Sequence, residues 1–142
     1  MRRLDRVALA TSLPTDGLPW PYASLGLVAV DHDLSPILLM SDMAEHGKAF
    51  APTPRVCLLF AGPGGHDQPL TGPRLSVFGV AEKSKEPALR ARFLARHPDA
   101  NLYADFRDFN FYRVAIERAH FVAGFGRIDT IPGATLRVDP TP

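Results

Sequence analysis

Two stretches decide the fold and the site that this sequence predicts: Tyr22-Ala23-Ser24-Leu25, and Ile37-Leu38-Leu39-Met40 running into Ser41-Asp42-Met43-Ala44-Glu45-His46-Gly47-Lys48. The first places small and hydroxyl residues at alternate positions of a strand, and the second is an apolar strand ending in a hydroxyl and a carboxylate. Ser41 and Asp42 are suited to cap a helical turn that carries His46 and Lys48. Because a helix N-terminus with nearby cations favours anions, the sequence predicts a phosphate site there.

Outward from these stretches, most of the chain has the pattern of antiparallel strands separated by turn signals. The predicted strands are 6–13, 22–30, 37–41, 55–61, 74–82 and 109–127, the last broken or bulged at Arg118-Ala119. The predicted helical segments are 44–50, a main helix capped by Ser84 and ended by Pro98, and 100–106. Residues 132–142 are expected to form a loose tail. One substantial helix cannot supply the crossovers of a parallel sheet, so we predict a mainly β fold closed into a small barrel.

Composition narrows the classes of function. A chain of 142 residues with 46% hydrophobic and 22% charged residues is expected to form one domain with one core. A net charge of +1 gives no basis for nucleic-acid or anionic-membrane binding, and no apolar run approaches the roughly 20 residues of a membrane span. We see no secretory signal, so the cytoplasm is the expected location. Cys57 lies in an apolar run and is expected to be a packed thiol, and the spacing of the five histidines does not indicate a zinc site.

Each candidate residue has a structural alternative. Ser24 either contacts a ligand or satisfies a backbone group, and Ser41 with Asp42 could form a plain N-cap without any ligand. Arg74 opens a strand, where it either binds a ligand or extends along a barrel rim. Arg127 follows Gly124-Phe125-Gly126 and is either a ligand contact or solvated.

The order and spacing of several segments resemble the pyridoxamine 5′-phosphate oxidase-related FMN-binding split barrels, in the branch similar to haem-utilisation proteins. The resemblance covers about residues 9–131. The segments that carry it are Ala8-Leu9-Ala10-Thr11, Pro21-Tyr22-Ala23-Ser24-Leu25, Leu39 to His46, Arg74-Leu75-Ser76-Val77-Phe78-Gly79, Arg92 to Pro98, Asp108-Phe109 and Gly124-Phe125-Gly126-Arg127.

This resemblance implies a six-stranded antiparallel split β-barrel that forms a homodimer with two FMN sites at the interface. It implies contacts from Tyr22, Ala23, Ser24 and Leu25 to the isoalloxazine and ribityl parts of FMN, and contacts from Ser41, Asp42, His46 and Lys48 to its phosphate, with Arg74 and Arg127 as further candidates. We therefore expect a flavin-dependent oxidoreductase with an unidentified small substrate and no identified catalytic acid or base. The alternatives are a haem-binding or haem-degrading relative and a flavin-binding module without turnover. Haem-degrading relatives carry an extension with a haem ligand that this chain lacks, so we expect no stoichiometric haem complex.

Overall fold

The structure is a computed structural model, and it describes residues 1–44, 48, 54–62, 69–124 and 126–137. Its strands are β1 Arg6–Leu13, β2 Trp20–Leu27, β3 Ala29–Val30, β4 Pro36–Ser41, β5 Arg55–Ala61, β6 Pro73–Ser84, β7 Phe109–Ala123 and β8 Ile128–Pro132. All pairs are antiparallel, in the spatial order β2-β1-β5-β6-β7-β4-β3, with β8 paired to β7. The mainly β class is confirmed, although the described residues contain eight strands rather than six.

One additional strand comes from a break in a predicted strand, and the other, β8, lies just beyond the last predicted strand. The strand predicted over 22–30 divides at Val28, whose N–H donates to the Asp5 carbonyl at 3.0 Å. The strand predicted over 109–127 ends at Ala123, and the chain then returns as β8. Gly124 and Gly126 have φ of 82° and 74° in this reversal, a conformation that glycine adopts without strain.

The sheet curls because its two ends are neighbours in the sequence. β2 and β3 occupy opposite ends of the spatial order, yet only Val28 separates them in the chain. The β2–β3 segment therefore pairs with β1 through one half and with β4 through the other. This pairing closes the barrel near β3. Beyond β3, no hydrogen-bonded ladder joins β2 to β4 among the described residues. We call this open seam, between β2 and the second half of β4, the split.

The barrel core follows the alternation of the strands. On β1, Val7 and Leu9 are buried while Ala8 and Ala10 face outwards, as a period of two requires. The other fully enclosed members of this core are Val28, Leu38, Leu58, Val77, Val114 and Ala119. The bulge predicted at Arg118-Ala119 lies one residue earlier: Phe78 pairs with Arg118 and Gly79 with Ile116, which leaves Glu117 as the additional residue.

The helices cover the ends of the sheet. Helix α1, Pro87–Arg96, buries Leu89 and Phe93, and its N-cap is Glu86 rather than the predicted Ser84. Two 3₁₀ segments span Pro69–Thr71 and Pro98–Leu102, so the segment predicted over 100–106 begins and ends earlier. The segment expected to be a loose tail contains helix α2, Gly133–Leu136, with Gly133 buried against Ile116. The helix predicted over 44–50 lies mostly outside the described residues.

Candidate functional site

The split brings the two deciding stretches of the sequence together. Gly26 of β2 lies against Met40 of β4, since a Cβ built on Gly26 would be 3.5 Å from the Met40 Cε. Extending the β3–β4 register beyond β3 puts Ser24 across the split from Asp42. Residues of β2 and the end of β4 thus lie on the two sides of the split, and their contacts with a cofactor stay a prediction.

The four predicted residues of β2 do not share one face. Tyr22 and Ser24 pair with inward-facing residues of β1, so both side chains lie on the inner face, and both are half-buried. Ala23 and Leu25 lie on the outer face, where Leu25 is 70% exposed. Only Tyr22 and Ser24 can therefore contribute side chains to a ligand inside the split, and the other two can contribute main-chain groups.

Ser41 is held in a turn at the other side of the split. Its hydroxyl donates to Asp108 Oδ2 at 2.5 Å and accepts the Met43 N–H at 3.1 Å. The Asp42 N–H donates to the Asp108 carbonyl at 2.7 Å, which ties the end of β4 to the residue before β7. Ser41 therefore has the local bonds of a structural cap, and its contact with a phosphate stays a prediction.

Asp42 is the centre of a polar cluster. Its carboxylate accepts hydrogen bonds from Asn110 Nδ2 at 2.9 Å and the Tyr112 hydroxyl at 3.1 Å, and it lies 3.4 Å from Lys83 Nζ. Burial, then the charge of Asp42 and their hydrogen bond, raise the pKa of Tyr112, so this phenol stays protonated and acts as a donor. A phosphate bound here would repel this carboxylate and would take its contacts from N–H groups or lysines. The predicted FMN contact of Asp42 therefore stays a prediction.

The remaining predicted cations are distributed between two ends of the barrel. Lys48 is exposed, and its N–H donates to the Ala44 carbonyl at 3.0 Å, as in a helical turn. His46 lies outside the described residues. Arg74 is near the start of β6 and Lys83 near its end, about 30 Å apart along the strand. Within a single chain, Arg74 therefore lies far from the split.

Arg127 also lies away from the split. It follows the β7–β8 reversal, beyond the end of β7 that pairs with the start of β6. Its side chain is 77% exposed and lies 3.6 Å from Asp129. A contact between Arg127 and a ligand in the split of the same chain is therefore not supported by its position, and a contact through a second chain stays a prediction.

Thr11 is a candidate that the sequence reasoning missed. It lies directly opposite Tyr22 on the inner face, it is 6% exposed, and its Oγ1 is the buried side-chain polar atom without a hydrogen-bond partner in the described part of the chain. Leaving a buried hydroxyl unpaired costs about 1–3 kcal/mol. The sequence alone could have indicated that Thr11 faces inwards, because it continues the alternation of the inward residues Val7 and Leu9 on β1. This hydroxyl is therefore a further candidate contact, on the inner face opposite Tyr22.

Other reactive groups do not form a second centre among the described residues. Burial raises the pKa of the Cys57 thiol, which favours an unreactive thiol over a nucleophile, but Cys57 is half-buried on the outer face of β5 rather than packed inside the barrel as predicted. In the described ranges no three His, Cys, Asp or Glu side chains converge as metal ligands would. In the same ranges, no helix has the length and apolar character needed to cross a membrane.

Comparison with known proteins identifies related chains. The family model of the CREG β-barrel matches residues 18–136. The non-canonical haem oxygenase HOZ of Arabidopsis thaliana chloroplasts is 36% identical over 109 residues, which cover 74% of this chain and 32% of that protein. This chain therefore spans about a third of the plant protein. The chloroplast in that name refers to the plant protein, and the cytoplasmic location expected for this chain stays a prediction.

Solved structures show the same architecture. A haem-binding protein from Mycobacterium smegmatis is 34% identical with a TM-score of 0.82, over 93% of this chain and 54% of that one. HutZ, the haem storage protein of Vibrio cholerae, is 19% identical with a TM-score of 0.64, over 78% of this chain and 80% of that one. A Listeria innocua protein named for pyridoxamine 5′-phosphate oxidase is 16% identical with a TM-score of 0.64, over 86% and 91%. The last two establish likeness of fold alone.

Proposed function

This chain belongs to the CREG β-barrel family, with structural neighbours among the pyridoxamine 5′-phosphate oxidase-like split barrels and the haem-utilisation proteins, and we propose that it binds FMN in the split. The observation that carries the proposal is the unpartnered Thr11 hydroxyl, buried beside Tyr22 at an open seam of the barrel. A buried polar group without a partner is rare in folded proteins, and a ligand that bonds to it removes the penalty.

The groups around the split suit the polar edge of a flavin. Thr11, Tyr22 and Ser24 place three hydroxyl groups on the inner face of β1 and β2. The outer edge of β2 has no ladder partner among the described strands, so main-chain donors and acceptors are also available there. Together they would hold the ring and ribityl hydroxyls, while the segment from Ser41 to Lys48 would hold the phosphate.

Bound FMN would supply the redox chemistry, and the chain would supply binding and orientation. The inner-face hydroxyls would fix the flavin ring, and the turn held by Asp108 would fix the distance between that ring and the phosphate. Tyr112 is one proton-bearing group of this region, but its raised pKa and its bond to Asp42 suit it to a structural role. We therefore propose a flavin-dependent oxidoreductase whose reacting protons come from the substrate or the flavin.

We also propose a homodimer, because an apolar surface covers the outer face of the sheet beside the split. Two cross-strand rows form it: Leu25, Ala8 and Leu59 in one, Ala23, Ala10 and Cys57 in the other. Leu25 is 70% exposed and Leu59 is 37% exposed. Contiguous apolar surface of this kind marks protein interfaces, and obligate interfaces usually bury more than about 2,000 Å². A second chain docked here would cover the edge of β2 and place both splits at the interface.

The direct test compares FMN with riboflavin by flavin fluorescence quenching. The two ligands differ only in the phosphate, and charge-assisted hydrogen bonds contribute about 1.5–3 kcal/mol each. We expect riboflavin to bind at least about 10-fold more weakly than FMN. Equal affinities would contradict the phosphate assignment. Reduction of the bound flavin by NADH or NADPH would then distinguish an oxidoreductase from a flavin-binding module without turnover.

Haem is the second candidate, favoured by the two relatives above 30% identity that are named for haem. Haem requires an axial ligand, commonly histidine. His97 Nε2 lies 2.8 Å from the Val28 carbonyl, and His120 lies on the exposed face of β7. His46, in the segment predicted to bind the phosphate, is the candidate ligand that we propose to test first. A sharp Soret band at one haem per chain, lost in His46→Ala, would favour haem over FMN; an unchanged spectrum on adding haem would remove this candidate.

A further inference from the structure

A second cavity lies at the end of the barrel opposite the turn at Ser41, and we call it the end cavity. It has a volume of about 670 Å³, within the usual range of small-molecule pockets. Phe60, Leu75 and Phe121 form one cross-strand row of its wall, and Ile131 and Leu136 complete that wall. The end cavity is thus a largely apolar space built from β5, β6, β7, β8 and α2.

Among the described residues that line the end cavity, the charged side chains are three arginines: Arg2, Arg3 and Arg74. Arg74 donates to the Leu70 carbonyl at 2.6 Å, and Arg2 donates to the His32 carbonyl at 2.7 Å. Both partners are neutral, so these contacts position the guanidinium groups without cancelling their charge. An apolar cavity with uncompensated positive charge at its rim is complementary to an apolar molecule with one anionic end.

A smaller hollow of about 240 Å³ adjoins the end cavity, because Arg2 and Leu4 line both. Arg92 and Arg96 of α1 also line the smaller hollow. They donate to the main-chain carbonyls of Val30 at 3.1 Å and of Arg3 at 3.3 Å. The positive charge therefore continues beyond the rim of the end cavity on the side of Arg2, which indicates where the anionic end of a ligand would lie.

The wall also contains a strained residue. Leu34 lines the end cavity with φ of 74°, a conformation that is uncommon for a branched side chain. The turn holds it there, because the Leu34 N–H donates to the Asp31 carbonyl at 3.0 Å. Backbone strain concentrates at ligand sites, where the fold maintains an unfavourable conformation to place a side chain.

We propose that the end cavity binds a medium-chain carboxylate, with its alkyl chain against Phe60, Leu75 and Phe121 and its carboxylate against Arg74 and Arg2. The end cavity and the split lie at opposite ends of β6. This second binding activity is therefore independent of FMN or haem, and either proposal can fail without the other.

The test titrates decanoate, with decan-1-ol as its uncharged counterpart, into the whole chain carrying ¹³C-labelled methyl groups. We expect saturable binding of one decanoate per chain, with shifts at Leu75, Ile131 and Leu136. Losing one contact between a carboxylate and a guanidinium should weaken binding about 10-fold. Arg74→Gln should therefore bind decanoate about 10-fold more weakly, and because Arg2 remains, its preference for decanoate over decan-1-ol should fall by the same factor rather than disappear.

Two further variants keep the test decisive. Arg107→Gln removes the same charge from an exposed residue that lines neither hollow, and it should bind decanoate like the parent chain. Leu34→Gly suits the positive φ, so the turn should fold, but it removes part of the apolar wall and should weaken both decanoate and decan-1-ol. The proposal is wrong if decanoate does not saturate, if decan-1-ol binds equally well to the parent chain, or if the shifts fall on residues of the split.

Discussion

Replacing Thr11 by valine should stabilise the free protein and weaken its ligand. The Oγ1 of Thr11 is buried without a partner, and valine has nearly the same shape without the hydroxyl. Removing an unsatisfied buried hydroxyl recovers much of its desolvation penalty, which is about 1–3 kcal/mol. We therefore expect the free energy of unfolding of the ligand-free protein to rise by about 1 kcal/mol. For a chain of this size, that corresponds to a rise in Tm of about 3–5 °C.

The same substitution should act in the opposite direction on FMN. A neutral hydrogen bond contributes about 0.5–1.5 kcal/mol, so FMN should bind about 2- to 10-fold more weakly to Thr11→Val. Urea unfolding of the ligand-free protein measures the first effect, and flavin fluorescence quenching measures the second. Opposite signs for stability and affinity are the mark of a residue that is kept for binding rather than for folding.

Thr15→Val is the matched control. The Thr15 hydroxyl donates to the Leu18 carbonyl at 2.7 Å and accepts the Gly17 N–H at 3.2 Å, so the same substitution should destabilise the protein there. If Thr11→Val also destabilises the ligand-free protein, its hydroxyl has a partner and the reasoning fails. If Thr11→Val binds FMN as tightly as the parent chain, the hydroxyl does not belong to the site.

Two more predictions concern assembly and acid stability. Leu59→Glu should convert the dimer to a monomer, as measured by light scattering. The control Leu102→Glu, at a residue 79% exposed on a 3₁₀ segment, should leave the mass unchanged. A dimer that persists in Leu59→Glu would contradict the proposed interface. Burial alone would raise the pKa of Asp33, but hydrogen bonds from Ser35 and the nearby Arg113 outweigh it and lower the pKa below the ordinary 3.8. The unfolded chain then binds the proton more readily, so stability should fall as pH drops through the folded pKa, and Asp33→Asn should show a smaller fall in urea titrations between about pH 6 and pH 2.5. An equal fall in both proteins would contradict this assignment.

Local patterns predicted the individual strands well. The bounds of β1 and β5 agree with the predicted 6–13 and 55–61, because alternating apolar residues end at clear turn signals in both places. The start of α1 was misplaced because Pro87 sets it, which makes Glu86 the N-cap and leaves Ser84 to accept the Glu86 N–H at 3.2 Å. Helix α2 was missed because four residues show no period, and its position depends on contact between Gly133 and distant Ile116.

The candidate site was harder to predict, because its geometry depends on register and on closure of the barrel. The family resemblance implied that Ser24 and Asp42 contact one cofactor, and extending the β3–β4 register places them on opposite sides of the split. It could not show that Arg74 lies about 30 Å along β6 from the split, because the direction of a strand in the sheet is a tertiary property. Nor could it show that Asp42 is already bonded to Asn110 and Tyr112, about 70 positions later in the chain.

The position of β7 has a consequence for how the chain folds as it is synthesised. Among the described residues, β7 pairs with β4, β6 and β8, while β4 has the two-residue β3 as its other partner. Until residues 109–123 leave the ribosome, Leu38 and Met40 lack their ladder partners on β7, and the growing chain exposes an apolar edge. At about 5–20 residues per second, the chain spends seconds in this aggregation-prone state. A slow codon or a premature stop before β7 should therefore be far more damaging than one shortly after it.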